Sequence, residues 1–374
     1  MSQDIKTPQF KIAIVAGEKS GDELGAPLIK ALKAINPSIK FIGVGGPKMQ
    51  SQGLNSFFNM DEISVMGIIE PLMNIRRLLK LRKNLKSYLL KEKPDIFIGI
   101  DSPDFNLPVE KLLKKELSIK TIQYVSPSVW AWRKGRIKAM EESTDCVLTL
   151  FPFEEEAYSE SVIDVSYVGH PLAYKINLNT EEINSKLDNS IALLPGSRKS
   201  EVSLLGNEMI KAAKKLKNEN DKYQFFMPLS NKDHLEFFDN DIEDFINISY
   251  GDAHDVLKKT KMAIITSGTA TLESILSYTP CVTLYKTNLV SYLIIKPLLS
   301  IDFFSLPNLI SGKHILPELL QGNISTEAII ESIKYIEQQG TTFFNNECQE
   351  ISNQLKAGGA EKAASKILEL LNCS

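Results

Sequence analysis

The 374-residue sequence predicts an α/β protein made of two doubly wound parallel sheets. Three observations lead to this prediction: strand-length apolar runs alternate with helical patterns, a polar stretch at 177–189 interrupts them, and the alternation resumes at Ile191. A chain of this length has room for two domains. We therefore expect a first domain over 1–172, joined by a C-terminal helix at about 345–374, and a second domain over 173–344.

The predicted elements follow one another in the order that a parallel sheet requires. Most of the predicted strands are followed by a helical pattern, and ligands of such sheets bind beyond the carboxyl ends of the strands. The strands are predicted at 10–15, 41–44, 95–100, 121–125, 162–168, 191–194, 223–227, 246–249, 262–266 and 281–285. The final part of the chain, 326–371, is predicted to be helical.

Composition and charge limit the classes of function. The formal net charge is −3 and no long basic run carries interleaved aromatic residues, so we expect no nucleic-acid partner. Cys146, Cys281, Cys348 and Cys373 have no paired spacing, which favours reduced thiols, and we expect the first two in the core. We expect no export signal and no membrane span, because the most apolar later stretch, 289–299, is too short to cross a bilayer.

The stretch IALLPGSRKSE, 191–201, is predicted to form a strand, a turn and the start of a helix. Ser197 can cap that helix, so that residues 196–198 would lie where free N–H groups attract anions. Arg198 adds a permanently charged planar group suited to phosphate oxygens, and Gly196 lets a ligand approach the backbone. Two interpretations stay open: a phosphate site, or an ordinary turn with a surface arginine.

A second turn of small residues follows the predicted strand 262–266 and opens another helix. Ser267, Gly268 and Thr269 place N–H groups and hydroxyls there, so the two turns together could hold a diphosphate and a ribose. Glu273 could accept hydrogen bonds from sugar hydroxyls. Alternatively, it only stabilises the N-terminus of its own helix, by roughly 0.3–1 kcal/mol.

Two loops of the first half are further candidates. The loop after the first strand contains Glu18 and fits neither nucleotide-binding fingerprint, so a tight turn and a ligand loop both stay open. Asp101 ends the predicted strand 95–100, where a carboxylate could accept a proton from a substrate hydroxyl. Asp104 is expected to cap a helix that begins near Val109, which leaves Asp101 as the better chemical candidate.

Three other features have both a structural and a functional interpretation. Trp130 and Trp132, beside Arg133, either line a cleft for an amphiphile or anchor the domain core. His170 precedes a proline, and a structural role is preferred over a catalytic one. The acidic triplet 239–241 is expected to be a solvated loop, and we predict no metal site.

Residues 65–90 are predicted to form a basic amphipathic helix, in which two sets of residues recur at helical spacing. The apolar set is Ile68, Leu72, Ile75 and Leu79, and the cationic set is Arg76, Lys80 and Lys83. One interpretation is a core-facing stripe with a solvated cationic face. The other is docking on an anionic membrane surface through Met66, Ile68, Ile69, Leu72 and Met73.

Eight blocks, in order along most of the chain, resemble the motifs of lipid-A-disaccharide synthases. They are AGEKSGDELGA (16–26), SVMGIIE (64–70), GIDSPDFN (99–106), SPSVWAWR (126–133), VGHPLA (168–173), LLPGSR (193–198), SGTATLE (267–273) and SLPNLI (305–310). The resemblance implies a GT-B glycosyltransferase, in which two Rossmann-like parallel-sheet domains face a central cleft. It also implies catalysis without a metal ion or other cofactor.

The resemblance further implies the reaction and the partners. UDP-2,3-diacylglucosamine would donate its sugar, with inversion, to the 6-hydroxyl of 2,3-diacylglucosamine 1-phosphate (lipid X), giving the β-1,6-linked disaccharide 1-phosphate of lipid A biosynthesis and UDP. Acylated substrates imply work at the cytoplasmic face of the inner membrane, which gives the membrane interpretation of the basic helix more weight than the core interpretation. A homodimer is compatible with the resemblance.

The resemblance also implies roles for single residues. Asp101 matches the family's candidate base. The positions that match the donor-diphosphate site and its surroundings are Gly196, Ser197, Arg198, Thr269 and Glu273. Glu18 and Asn308 match positions that face the cleft, without assigned contacts.

Two departures from the family pattern and two alternatives stay open. Tyr174 stands where many relatives carry an acidic residue, and 249–255 matches poorly, which leaves the uracil and ribose contacts unassigned. A UDP-N-acetylglucosamine 2-epimerase would have a similar fold without a lipid-facing helix. A non-catalytic nucleotide-sugar-binding module would not need Asp101.

Overall fold

The computed structural model describes residues 9–63, 69–130, 135–238, 244–288 and 302–372, with only the backbone at 69–75. The chain divides into two compact units, residues 1–171 with 356–374, and residues 172–355. Each unit is built around one parallel sheet. The predicted α/β class is therefore confirmed.

The strands of the first unit are β1 (Lys11–Ala16), β2 (Lys40–Val44), β3 (Leu54–Ser56), β4 (Ile96–Ile100), β5 (Lys120–Tyr124), β6 (Cys146–Thr149) and β7 (Asp164–Tyr167). Their order across the described sheet is β3-β2-β1-β4-β5-β6-β7, and every pair is parallel. The chain therefore changes its direction of growth between β1 and β4. Such a topological switch point is where open α/β sheets bind their ligands.

The second unit repeats this architecture with β8 (Leu187–Leu194), β9 (Gln224–Leu229), β10 (Ile246–Tyr250), β11 (Thr260–Thr266), β12 (Cys281–Tyr285) and β13 (Glu318–Leu320). The order across the described sheet is β10-β9-β8-β11-β12-β13, again parallel throughout. Its switch point lies between β8 and β11.

The α-helices pack around these sheets. They are α1 (Lys19–Ile35), α2 (Pro47–Ser51), α3 (Ile69–Glu92), α4 (Pro103–Leu117), α5 (Arg136–Glu141), α6 (Leu172–Lys175), α7 (Thr180–Asn184), α8 (Lys199–Glu219), α9 (Ala253–Lys259), α10 (Thr269–Leu276), α11 (Leu306–Ser311), α12 (Thr326–Leu355) and α13 (Gly359–Asn372). Short 3₁₀ helices span Met60–Glu62, Pro152–Tyr158, Lys232–Phe237 and Gln321–Asn323. None of the helices in the described part of the chain is long and apolar enough to cross a membrane.

Residues of the central strands form the hydrophobic core of each unit. All five residues of β4 are buried, because helices cover both faces of a parallel sheet and leave no polar side. Cys146 and Cys281 are fully buried free thiols, as predicted, and Cys348 is buried as well. The C-terminal α13 belongs to the first unit, where Gly359 N donates to Val168 O at 2.7 Å.

The prediction that 326–371 is helical is confirmed: this part comprises two helices, α12 and α13, and α12 is kinked at Gly340. The predicted cap at Asp104, by contrast, was wrong. The helix after β4 begins at Pro103, with Ser102 as its N-cap, so Asp104 lies in its first turn and does not cap it. The polar stretch 177–189, the expected crossing between the domains, contains α7 and the start of β8. Its residues Glu181, Glu182 and Asp188 are exposed, whereas Lys186 is buried.

Candidate active site

The switch point of the first unit brings Glu18 and Asp101 together. Ala16 and Ile100 are partners in the register of β1 and β4, so the two loops that carry these carboxylates leave the sheet side by side. A Cβ at Gly17 would lie 2.7 Å from Ser102 Oγ, so the loops approach as closely as glycine allows. Partial desolvation by its surroundings and the negative charge of Asp101 raise the pKa of Glu18.

The backbone around Asp101 is held in a rare conformation. Asp101 (φ +52°), Ser102 (φ +41°) and Val125 (φ +79°) all lie in the left-handed region at the ends of β4 and β5. Non-glycine residues there cost about 1–3 kcal/mol each, and such strain is concentrated at functional sites. β-branched Val125 is the most unusual of the three.

Two buried amides hold this conformation. Asn106 Nδ2 donates to Asp101 O at 2.9 Å, and Gln123 Nε2 donates to the same oxygen at 3.1 Å and to Val125 O at 3.2 Å. Asp101 N donates to Tyr124 O at 2.9 Å. The Asp101 carboxylate itself accepts only a bond from the N–H of Ser102, at 2.8 Å, among the hydrogen bonds that the described residues make. Its backbone is therefore fixed while its second oxygen stays available.

A cavity of about 370 Å³ opens beside Asp101. Its polar lining includes Asp101, Asp104, Ser126, Ser128 and Arg136. The guanidinium of Arg136 pairs with the largely exposed carboxylate of Asp104. Arg136 reaches this cavity from the start of α5, whose Ile137 and Met140 pack in one cluster with Val147 of β6.

Trp130 is anchored within the first unit. Its indole donates to the Glu154 carboxylate, and its ring packs edge-on against Phe153 with centroids 4.9 Å apart. Glu154 also accepts from the N–H groups of Leu150 and Phe151, both at 2.9 Å, and burial raises its pKa to about 7. These contacts favour the anchoring interpretation for Trp130. Trp132 and Arg133 lie outside the described residues.

His170 is buried, and its ring stacks on Phe151 with centroids 5.2 Å apart. Burial lowers the pKa of His170 to about 4, so the imidazole is neutral at physiological pH. A neutral, stacked ring at the end of the first unit fits the structural role preferred from the sequence.

The switch point of the second unit brings together the two predicted turns. Leu194 and Ile265 are partners in the register of β8 and β11, so the loop 195–198 and the loop 267–268 follow side by side. This adjacency is what the paired-turn interpretation requires, because a diphosphate and its attached ribose span neighbouring loops.

The first of these turns is closed by Glu201. Gly196 has φ +114°, and helix α8 begins at Lys199 with Arg198 as its N-cap. The predicted cap at Ser197 is therefore wrong, because Ser197 precedes the N-cap residue. The Glu201 carboxylate reaches back instead, and its Oε2 accepts from the N–H groups of Ser197 and Arg198 at 3.1 and 3.2 Å. The Arg198 side chain is 80 % exposed and donates one N–H to Glu201 Oε1 at 3.2 Å.

The second turn is fixed through its backbone and hydroxyls. Ser267 Oγ donates to Phe304 O at 2.9 Å, and Gly268 is the N-cap residue of α10, which begins at Thr269. Burial raises the pKa of Glu273, four residues further on, while Lys175 opposes the shift.

Lys175 also contributes to lowering the pKa of His254, after burial and Lys258. Glu273, Lys175 and His254 therefore form one electrostatic neighbourhood in the second unit. Sequence reasoning missed Lys175 and His254, although His254 lies in the stretch 249–255 whose contacts had no assignment.

Asn308 organises its own loop. It is fully buried, its Oδ1 accepts from Ile315 N at 3.0 Å and Leu316 N at 2.9 Å, and its Nδ2 donates to Leu316 O and to Glu318 Oε1. Glu318 in turn accepts from Ser305 Oγ at 2.7 Å. Asn308 thus ties α11 to β13 through hydrogen bonds within the second unit.

The residues predicted to contact the membrane fall in and before α3. Met66 and Ile68 lie outside the described residues, and of Ile69, Leu72 and Met73 only the backbone is described. Further along the helix, Arg76, Arg77, Lys80 and Lys83 are exposed. Leu79, which the core interpretation assigns to a buried stripe, is 48 % exposed.

Metal ligands were not expected. In the ranges that the structure describes, no group of three His, Cys, Asp or Glu side chains could hold a metal ion. The acidic triplet 239–241 lies outside those ranges.

Solved structures share this architecture over nearly the whole chain. The glycosyltransferase of kitacinnamycin superposes with a TM-score of 0.66 at 12% identity, covering 98% of this chain and 100% of that one. MurG of Acinetobacter baumannii gives 0.60 at 12% (97% and 100%), and UDP-GlcNAc 2-epimerase of Methanocaldococcus jannaschii gives 0.60 at 15% (97% and 100%). At such identities the likeness shows the fold alone. Two Rossmann-like units with paired loops at each switch point define a protein of the GT-B class.

Sequence relatives are more specific. A family model described as lipid-A-disaccharide synthetase matches residues 12–369. The lipid-A-disaccharide synthase of Idiomarina loihiensis is 42% identical over 373 residues, covering 96% of this chain and 98% of that protein, and that of Alcanivorax borkumensis is 40% identical (96% and 97%). The chain belongs to the lipid-A-disaccharide synthase family. It is a glycosyltransferase, and the epimerase and binding-module alternatives are not favoured.

Proposed function

We propose that this enzyme transfers 2,3-diacylglucosamine from UDP-2,3-diacylglucosamine to the 6-hydroxyl of lipid X. The products are the β-1,6-linked disaccharide 1-phosphate and UDP. The observation that carries the proposal is the complementary chemistry of the two switch points. One unit offers a positioned carboxylate at Asp101, and the other offers an exposed guanidinium at Arg198 on a turn that Glu201 closes. Family membership supplies the substrates.

Asp101 is the proposed base. Its carboxylate takes the proton of the acceptor 6-hydroxyl as that oxygen attacks C1 of the donor sugar. The C1–O bond to the diphosphate breaks, and its electron pair leaves with UDP through a transition state of oxocarbenium character. The cavity beside Asp101 and the hydrogen bonds that fix its backbone support this role. Glu18, whose pKa Asp101 raises, is proposed to lie in the same acceptor region.

Arg198 and the turn 196–198 are the proposed donor-diphosphate site. The guanidinium uses one N–H on Glu201 and offers its other donors to phosphate oxygens, which gather charge as UDP leaves. Ser267, Gly268 and Thr269 are proposed beside it, with Glu273 accepting from sugar hydroxyls. The parallel register of β8 and β11 supports this grouping.

A membrane-bound location is proposed for the working enzyme, peripheral on the cytoplasmic face of the inner membrane. Both sugars carry acyl chains, so the enzyme must reach lipids held in a bilayer. The exposed Arg76, Arg77, Lys80 and Lys83 support attraction to anionic lipid, at about 1 kcal/mol for each cation near the surface. The exposed Leu79 supports an apolar contact on the same helix.

One assay tests the reaction. Purified protein is incubated with UDP-2,3-diacylglucosamine and lipid X, and the disaccharide 1-phosphate is followed by chromatography. Arg198→Ala should lower turnover by roughly 10²–10³-fold, and Lys211→Ala, an exposed cation on the same helix α8, should leave it unchanged. Failure to form any disaccharide would refute the proposed reaction, whereas full activity of Arg198→Ala would remove only the diphosphate assignment.

A further inference from the structure

Glu110 is a fully buried carboxyl group on α4, one helical turn beyond Asn106. It does not line the cavity beside Asp101. Its Oε2 accepts from Thr144 Oγ1 at 2.6 Å. The proposed transfer reaction assigns no role to Glu110. Burying a carboxyl group is costly unless it is hydrogen-bonded or paired.

Two buried side-chain oxygens, one helical turn apart on α4, have no partner. Glu110 Oε1 and Asn106 Oδ1 are both buried and accept no hydrogen bond from any described residue. The orientation of the Asn106 amide is nevertheless clear, because Nδ2 donates to Asp101 O at 2.9 Å and approaches Ile100 O and Val15 O, each at 3.4 Å. The unpaired atom is therefore the carbonyl oxygen of the amide.

The side chains of Glu110 and Asn106 both pack against Gly99 of β4. A Cβ placed at Gly99 would lie 2.6 Å from Glu110 Oε1, 2.8 Å from Asn106 Cβ and 3.0 Å from Asn106 Cγ. Residues four apart on a helix are neighbours on one face. The two unpaired oxygens thus belong to groups packed over one glycine, two residues before Asp101.

Two acceptors cannot satisfy each other, but a single proton between them would satisfy both. Leaving a buried acceptor unpaired is unfavourable, and an ionised Glu110 would leave two such acceptors in groups packed over the same glycine. We propose that Glu110 is a neutral carboxylic acid whose Oε1–H donates to Asn106 Oδ1, so that Glu110 is a positioning residue for the Asp101 loop. This role rests on the proposed function of Asp101 as the base.

The charged surroundings agree with a neutral acid. Burial raises the pKa of Glu110 to about 8; the Thr144 bond lowers it, Asp145 raises it, and Lys114 on the same helix lowers it. Lys114 is engaged with Asp145 at 3.1 Å. Gly99 and Asn106, which also lie beside Glu110, are uncharged.

In this arrangement, a chain of hydrogen bonds connects Glu110 to the Asp101 loop. Glu110 holds the amide of Asn106, and that amide holds the carbonyl of Asp101 in its left-handed conformation. Ionisation of Glu110 would replace a donor by a second negative acceptor facing Asn106 Oδ1. The amide would then turn away, and the Asp101 loop would lose one of its two side-chain supports.

Variants at Glu110 separate positioning from packing. Glu110→Gln keeps both bonds, since its Nε2 can donate to Asn106 Oδ1 while its Oε1 accepts from Thr144. Glu110→Ala removes both, and Lys111→Ala changes an exposed neighbour on the same helix. We expect Glu110→Ala to lower kcat about tenfold to a hundredfold, Glu110→Gln to recover most of that loss, and Lys111→Ala to behave as the parent.

The pH profile gives the sharper readout. The parent kcat should fall above pH about 8, and Glu110→Gln, which cannot ionise, should lack that decline. An unchanged decline in Glu110→Gln, or a Gln variant as impaired as the Ala variant at pH 7, would overturn the proposal. If Glu110→Ala does not fold, the profile of Glu110→Gln still decides.

A spectroscopic test is independent of the reaction. Difference infrared spectra of the parent minus Glu110→Gln at pH 7 should show the C=O band of a protonated carboxylic acid, which disappears as the pH is raised through about 8. Carboxylate bands alone at pH 7 would contradict a neutral Glu110. Absence of disaccharide formation, by contrast, would refute the proposed function and leave this measurement valid.

Discussion

The N–H of Ser197 donates to Oε2 of Glu201 at 3.1 Å, so a carboxylate from the first turn of α8 closes the loop that precedes its own helix. The same oxygen accepts from Arg198 N. Both of these N–H groups are therefore paired with Glu201, and the conformation of the turn is set before any substrate arrives. This closure requires Gly196, since the carboxylate lies against its Cα.

We expect Gly196→Ala to weaken donor binding. A Cβ there would lie 2.5 Å from Glu201 Oε2 and 2.6 Å from Glu201 Cβ, and φ +114° is unfavourable for any side chain. The loop must shift, at a cost of about 1–3 kcal/mol, which corresponds to roughly a tenfold loss of UDP affinity for each 1.4 kcal/mol. Isothermal titration calorimetry with UDP measures it. Gly322→Ala, where a Cβ meets nothing within 4 Å, is the control, and unchanged affinity in Gly196→Ala would contradict the role of the turn.

Asp101→Asn should remove the base and keep the loop. The amide oxygen can still accept from Ser102 N, and the bonds that Asn106 and Gln123 make to the main-chain carbonyl are untouched. Turnover should fall about 10²–10⁴-fold, while the free energy of unfolding changes by about 0.5 kcal/mol or less.

A second readout of Asp101→Asn concerns Glu18. Because the charge of Asp101 helps raise the pKa of Glu18, that pKa should fall in the variant. A ¹³C titration of the Glu18 carboxyl checks this, and Asp61→Asn, an exposed carboxylate of the same unit, is the control. Full turnover in Asp101→Asn would exclude Asp101 as the base. An unchanged pKa of Glu18 would show that the two loops do not interact electrostatically.

The sequence predicted those elements well whose residues form a regular apolar pattern. Strands such as β4 are buried on both sides, so their apolar runs are uninterrupted and easily found. The two turns at Gly196 and Gly268 were found from the alternation of strands and helices, whereas their adjacency comes from the sheet order, in which β8 lies beside β11. The strands β3, β6 and β13 were missed. β3 and β13 are three residues long and pair along one edge only, and β6, although it pairs on both sides, has only four residues.

The details of the candidate site were less predictable, because they depend on contacts between distant residues. Gln123 supports a carbonyl 22 residues earlier, and Val125 adopts φ +79° only in that context. Ser197 is a residue type that usually caps a helix, but α8 has Arg198 as its N-cap, and Glu201 accepts from the N–H of Ser197. The conformational preferences of neighbouring residues predict neither the contact of Gln123 with Asp101 nor that of Glu201 with Ser197.

The membrane interpretation predicts a separation of folding and lipid binding. Ile68→Ser, Ile69→Ser and Leu72→Ser together should leave the protein folded and reduce its binding to vesicles containing anionic phospholipid, because each buried CH₂ lost costs about 0.8 kcal/mol. Vesicle sedimentation with circular dichroism measures both. Val162→Ser, an apolar residue of the first unit that is 87 % exposed, is the control. Unfolding of the triple variant would support the core interpretation.

His170 predicts sensitivity to acid. Burial holds its folded-state pKa at about 4, below its ordinary value of 6.5, so the unfolded chain binds more protons between these two pH values. The stability that the neutral ring contributes is complete above pH 6.5 and is lost as the pH falls towards 4, at up to about 1.4 kcal/mol per pH unit. Urea unfolding at pH 7.5, 5.5 and 4.5 measures this decline.

His170→Asn should flatten that decline, because the asparagine does not titrate. Its stability at pH 7.5 should be lower than that of the parent, since the stacking on Phe151 is lost, and the difference between the two proteins should shrink as the pH falls. Turnover at pH 7.5, corrected for the folded fraction, should stay within a few fold of the parent, because a neutral ring stacked in the core is not placed to transfer protons. Parallel pH dependences in parent and variant would show that another group governs acid unfolding, and a hundredfold loss of turnover in folded His170→Asn would restore the catalytic interpretation.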